Sequence, residues 1–237
     1  MTNRSELSIS SGNLQLGSVK SNNEAGSPVK TSKTDLFVTN SIIKCEKGQI
    51  VLACSVDKWL SDWNNSYVRA VFGPNSEITT GQFYVNGQYP QSSVIFDGAT
   101  IHWTGNNTSF IGHTTAVGDV YTIDSLGLTI DIPSGKSLTC DQNASSLKGE
   151  GGITKIGEGS ITWNKVSSNG SQGMTFTGPL TVTEGTWSST LGYASKVFNV
   201  SGEGSVLELS GALSADEINF NVSEGGLLKL TGATTPN

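Results

Sequence analysis

Three phenylalanines near the C-terminal end, Phe176, Phe198 and Phe220, are evenly spaced, at i, i+22 and i+44. The last two open nearly the same phrase. Phe198-Asn199-Val200-Ser201-Gly202-Glu203-Gly204 returns as Phe220-Asn221-Val222-Ser223-Glu224-Gly225-Gly226, and Val206-Leu207-Glu208-Leu209 returns as Leu227-Leu228-Lys229-Leu230. A fixed period of this size marks a stacked-repeat architecture. Extended chain advances roughly 3.3 Å per residue, so one repeat traces about 70 Å before an identical side chain arrives beside its predecessor. A chain that walks around a closed perimeter and returns one strand spacing higher, about 4.8 Å, is a β-solenoid. The spacing predicts that the three phenylalanines form one inward column, with consecutive rings about 4.5–7 Å apart.

Composition agrees with that reading. Gly supplies 29 of 237 residues and charged residues only 14%, against averages of ~7% and ~25%. The balance fits turn-rich β-structure carrying Ser, Thr and Asn on its outer faces, and it argues against helical bundles. A net charge of −6 with two arginines, Arg4 and Arg69, disfavours nucleic acid, whose phosphates call for clustered Lys and Arg. Three cysteines, Cys45, Cys54 and Cys140, show neither zinc spacing nor a full disulfide framework. Cys45 with Cys54 is the one pairing the spacing allows, and buried free thiols are the equal alternative. No apolar run approaches the ~18 residues of a membrane helix, and Met1 to Glu6 lacks the apolar core of a signal peptide. Either an export signal lies outside this sequence or the protein is intracellular.

Residues 1–34 are polar and read as a leader or a first capping coil. From Leu36 short apolar stretches alternate with Gly, Asn and Pro, the texture of short strands. One interruption differs: Val56, Trp59, Leu60 and Trp63 follow helical spacing after Ser55 as an N-cap. This is the one helix candidate, at the N-terminal end, and its tryptophans are expected to cover the β-core rather than to stack on sugar rings. From residue 94 the strands become regular: 94–96, 100–103, 120–123, 128–132 and 137–140, with Asp97-Gly98 as a tight turn.

The most diagnostic stretch is Gly151-Gly152-Ile153-Thr154-Lys155-Ile156-Gly157-Glu158-Gly159-Ser160-Ile161-Thr162-Trp163. It continues as Phe176-Thr177-Gly178-Pro179-Leu180-Thr181-Val182-Thr183-Glu184-Gly185-Thr186-Trp187. It resembles the autotransporter-associated β-strand repeat of Gram-negative surface proteins. Gly151, Gly152, Thr154, Lys155, Gly157, Gly159 and Thr162 match that pattern, as do Gly178, Val182, Gly185 and Thr186. Ile replaces Leu at 153 and 161, Trp closes the strands at 163 and 187, and Phe176 stands where Tyr is common. The similarity covers about 94–232 and is weak before it. It implies export through an outer-membrane β-barrel, yet the chain carries no alternating spanning strands with aromatic girdles. The expectation is a segment of a longer protein or a stand-alone relative, with further β-helix coils stacking on the final one.

Candidate chemistry is sparse. The glycines of 149–152 and 157–159 fall between β-type alternations with no helix following, so they read as corners and not as a phosphate cradle. Asp97, Asp119, Asp124 and Asp131 are the acids of the regular region, with only Lys136 near them in sequence, and they read as solvated turn acids. His102 and His113 have no metal-ligand spacing and read as surface or packed histidines. Asn199 and Asn221, a period apart, suit a stacked amide ladder better than glycosylation.

These residues lead to an all-β expectation, a right-handed parallel β-helix of about 20–22 residues per coil with a short capping helix near its start. Residues 1–34 are the leader or cap, 35–93 a less regular part and 94–232 the regular part of a β-helix that spans 35–237. The expected role is a structural or adhesive surface-display scaffold, the passenger of an autotransporter-like secreted or cell-surface protein of a Gram-negative bacterium. It is expected not to be an enzyme, to need no cofactor or metal, and to meet host or matrix glycans or proteins but not nucleic acid. The rival is a β-helical polysaccharide-active enzyme or carbohydrate-binding module, tailspike-like, with Trp59, Trp63 and Trp103 exposed along a groove as its glycan contacts.

Overall fold

A computed structural model of the chain describes residues 4–19, 32–55, 66–85, 93–105, 111–113, 121–140, 147–164, 173–213 and 215–232. Its regular structure is entirely β, with no helix among the described residues. The helix candidate of 55–63, with Trp59 and Trp63, lies outside the described residues apart from Ser55 at the end of a strand.

The first sheet has nine strands: β1 (Ser5–Ser8), β4 (Ser41–Cys45), β7 (Glu77–Thr80), β10 (Ala99–Trp103), β13 (Leu128–Asp131), β16 (Ile153–Ile156), β19 (Leu180–Val182), β22 (Val197–Val200) and β24 (Asn219–Val222). The second has four, β2 (Leu14–Val19), β5 (Ile50–Ser55), β8 (Phe83–Val85) and β11 (Ile111–His113). The third has seven, β3 (Ser32–Val38), β6 (Ser66–Phe72), β9 (Ser93–Phe96), β12 (Tyr121–Ile123), β15 (Leu147–Gly149), β18 (Gly173–Phe176) and β21 (Gly192–Tyr193). The fourth has five, β14 (Ser137–Cys140), β17 (Ser160–Trp163), β20 (Thr186–Ser189), β23 (Val206–Leu209) and β25 (Leu227–Leu230). Every pairing between these strands is parallel.

One rule generates these sheets, because each strand pairs with the strand three further along the chain. The fourth sheet takes over the second sheet's step from β14 onward. In the last circuit the third sheet shrinks to a single bridge, Tyr193 to Leu213, so there β22 pairs with β24 and β23 with β25. The polar N-terminal segment already joins the pattern, with β1 on β4 and β2 on β5.

Strand alternation then decides what is inside. In the first sheet Leu7, Ile43, Ile78, Ile101, Ile130, Lys155, Val182, Val200 and Val222 stand in one register column. All but the two end members are buried. Alternate residues are half-buried or exposed, as expected when one face of each sheet packs on the core. A single apolar cluster collects side chains from all four sheets. Its aromatic members stack in runs: Phe72 lies on Phe96 at 5.7 Å, Trp163 on Trp187 at 6.0 Å, and Phe198 on Phe220 at 5.4 Å.

The phenylalanine column therefore holds for Phe198 and Phe220 and fails for Phe176. Phe176 belongs to the third sheet, opposite Gly149, whereas Phe198 belongs to the first, opposite Leu180. Tyr193 joins the two, edge-on to Phe176 at 6.2 Å and to Phe198 at 5.8 Å. The physical reason is that the circuit has no fixed length. Column neighbours in the first sheet stand as close in sequence as Val182 and Val200, and as far apart as Leu7 and Ile43. Equal spacing thus does not carry Phe176 to the sheet of the other two.

Most of that variation falls at one step. Between the first sheet and the second or fourth, and between the third and the first, the described connections are mostly short. Glycine makes many of those corners. Gly185 has φ of +67°, and a Cβ there would stand 2.2 Å from the carbonyl oxygen of Gly159 in the preceding circuit. The step into the third sheet differs: residues 20–31, 56–65, 86–92, 114–120, 141–146 and 164–172 all connect a second- or fourth-sheet strand to the next third-sheet strand. Six consecutive circuits place a long connection at the same position.

Truncating Phe198 to Ala, a ring 1% exposed, is expected to cost about 3–5 kcal/mol in urea unfolding. The same change at half-buried Phe220 is expected to cost less than half as much; equal costs would mean that the last circuit is covered.

Candidate functional site

The outward columns of the first sheet carry most of the described polar chemistry. In register stand Thr100, Thr129, Thr154, Thr181, Asn199 and Asn221. The last three are joined by side-chain hydrogen bonds: Asn199 Nδ2 donates to Thr181 Oγ1 at 3.0 Å, and Asn221 Nδ2 to Asn199 Oδ1 at 2.8 Å. The amide ladder expected from the repeat period is present.

Beside this ladder the same register assembles a charged row. Pairing of β10 with β13 sets His102 opposite Asp131, and its Nδ1 lies 2.9 Å from Asp131 Oδ2. On the other side His102 Nε2 lies 3.9 Å from Glu77 Oε2. Glu77 Oε1 in turn accepts from Arg4 at 2.5 Å, and the Arg4 guanidinium also donates to the carbonyl of Asn75. All four side chains are partly exposed. The row thus runs cation, anion, imidazole, anion from the flank of β1 to β13, with Arg4 reaching past β4 to Glu77.

Lys155 extends this electrostatic line from inside. Strand alternation places it in the apolar column, and the residue is 0% exposed. Its stem fills the place of an aliphatic side chain while its ammonium reaches the corner, donating to the carbonyls of Ile156 at 2.9 Å, of Glu184 at 3.0 Å and of Gly157. Three carbonyls meet the three donors of an ammonium group. Glu184 closes the same corner by accepting from the Gly157 N–H at 2.8 Å. Burial lowers the Lys155 pKa to about 8, partly offset by the charges of Asp131 and Glu184.

This arrangement binds strands to one another. Each carboxylate has a partner, Arg4 for Glu77 and His102 for Asp131. No group of three or more His, Cys, Asp and Glu among the described residues is arranged to hold a metal ion. Asp97 and Asp124 are turn acids: Asp97 accepts from the Leu126 N–H at 3.0 Å and Asp124 from the Ser125 N–H at 2.9 Å. Asp119 lies outside the described residues, as do Trp59 and Trp63. Trp103 corrects the groove reading of the rival. It is 0% exposed, with its indole N–H donating to the Ser137 carbonyl at 3.4 Å, so it presents no face to a sugar. Its position on an inward-facing alternate of β10 is the reason. Cys45 is a buried free thiol that lies 3.6 Å from the carbonyl oxygens of both Gly12 and Gln49, and Cys140 is buried.

Sequence reasoning missed the meeting of His102 with Asp131 and Glu77. Their spacing along the chain matches no motif, and only strand pairing makes them neighbours, with His102 directly opposite Asp131 and diagonal to Glu77, which stands opposite Thr100. Lys155 was visible as a repeat residue, and its inward place follows from the alternation that sets Ile153 and Lys155 on one side of β16 and Thr154 and Ile156 on the other. Compared with protein families, curated proteins and solved structures, the chain matches none.

The Lys155 shift has a defined sign. The folded state favours the neutral amine relative to the unfolded chain, whose lysine titrates near 10.5, so stability rises as pH climbs from about 8 toward 10.5. Burial pushes the Tyr193 phenol up, and that contribution is lost above about pH 10, where an unfolded tyrosine ionises. Thermal unfolding between pH 8 and 10 should therefore show the wild type gaining about 2 kcal/mol relative to Lys155→Met. Parallel curves would remove Lys155 as the cause.

Proposed function

We propose that the chain is a right-handed parallel β-helix that serves as a surface-display scaffold, the passenger part of an autotransporter-like secreted protein. The observation that carries this reading is the division of labour within each circuit. Parallel strands three apart supply a continuous core, and six successive long connections leave at one step. Parallel crossovers are right-handed in almost all known sheets, which gives the hand of the winding. Nine strands at about 4.8 Å make a first sheet of roughly 40 Å along the stack, a length over which connections on one edge are held in fixed order. The resemblance of Gly151 to Trp187 to the autotransporter-associated repeat is what points to the cellular setting: export, a Gram-negative surface and further coils in a longer chain. Host or matrix glycans or proteins are the partners this setting implies, met by the connections and not by the packed faces.

Display without catalysis makes two demands. A ten-residue epitope inserted within 165–172 should leave the melting temperature within a few degrees, because lengthening a loop costs little closure entropy. The same insertion at the Gly157–Gly159 corner should unfold the protein. Placed behind a signal peptide and ahead of an outer-membrane β-barrel, the tagged chain should bind antibody on intact cells; retention in the periplasm would count against the passenger reading. Incubation with pectin or glycosaminoglycans should release no reducing ends or unsaturated products. Product formation that disappears in Glu77→Gln or Asp131→Asn would restore the enzyme reading.

A further inference from the structure

We draw no further inference here: the strongest candidate, the line of exposed glutamates Glu158, Glu184, Glu203 and Glu224 that successive corners set along one edge between the first and fourth sheets, is a cluster of acidic residues beside which no described residue points to a ligand.

Discussion

Register between strands three apart is the constraint on which this structure rests. Side chains along a strand alternate between core and surface, so a slip of one residue in any pairing would exchange Ile101 for Thr100, or Ile130 for Thr129, across a whole strand. With the register kept, apolar side chains meet in columns in successive circuits and the core forms without long-range design. Lys155 shows how strict the constraint is. It occupies an aliphatic position, and it is tolerated because its stem packs like one while three backbone carbonyls receive the ammonium.

The same register organises the surface. Threonines fall in line because strands of similar alternation lie side by side, and an asparagine that follows them continues the line with a hydrogen bond. His102 meets Asp131 for the same reason. Such pairs on a partly exposed face contribute on the order of 0.2–1 kcal/mol each, far less than the burial of one aromatic side chain, so they adjust the stack and do not hold it up. The interior supplies the cohesion through the stacked pairs Phe72 with Phe96 and Trp163 with Trp187.

Freedom is concentrated at one step of the circuit. Where corners are tight, consecutive backbones approach so closely that a side chain beyond hydrogen is excluded, as between Gly185 and Gly159. Where the chain passes into the third sheet, long connections occur in six circuits running. Loop closure grows only slowly with length, so that step can vary in sequence and size without disturbing the strands. The terminal circuits pay for the arrangement in exposed apolar surface, and local stability is expected to fall toward them.

By itself the sequence determined the class of structure. The Gly-rich, charge-poor composition, the alternation in short strands and the return of Phe198-Asn199-Val200 as Phe220-Asn221-Val222 were enough for stacked parallel strands, for corners at 149–152 and 157–159, and for the asparagine ladder. It did not determine which sheet each strand joins. Circuits vary in length, from the short one between Val182 and Val200 to the long one between Leu7 and Ile43, so equal spacing sent Phe176 to a different sheet from Phe198. Tertiary structure also decided that Trp103 faces the core and that His102, Asp131, Glu77 and Arg4 form one row. Those contacts join residues as much as 73 positions apart, and nothing local encodes them: they exist only because parallel pairing stacks the circuits one strand spacing apart, so that side chains reach the next circuit or the one beyond.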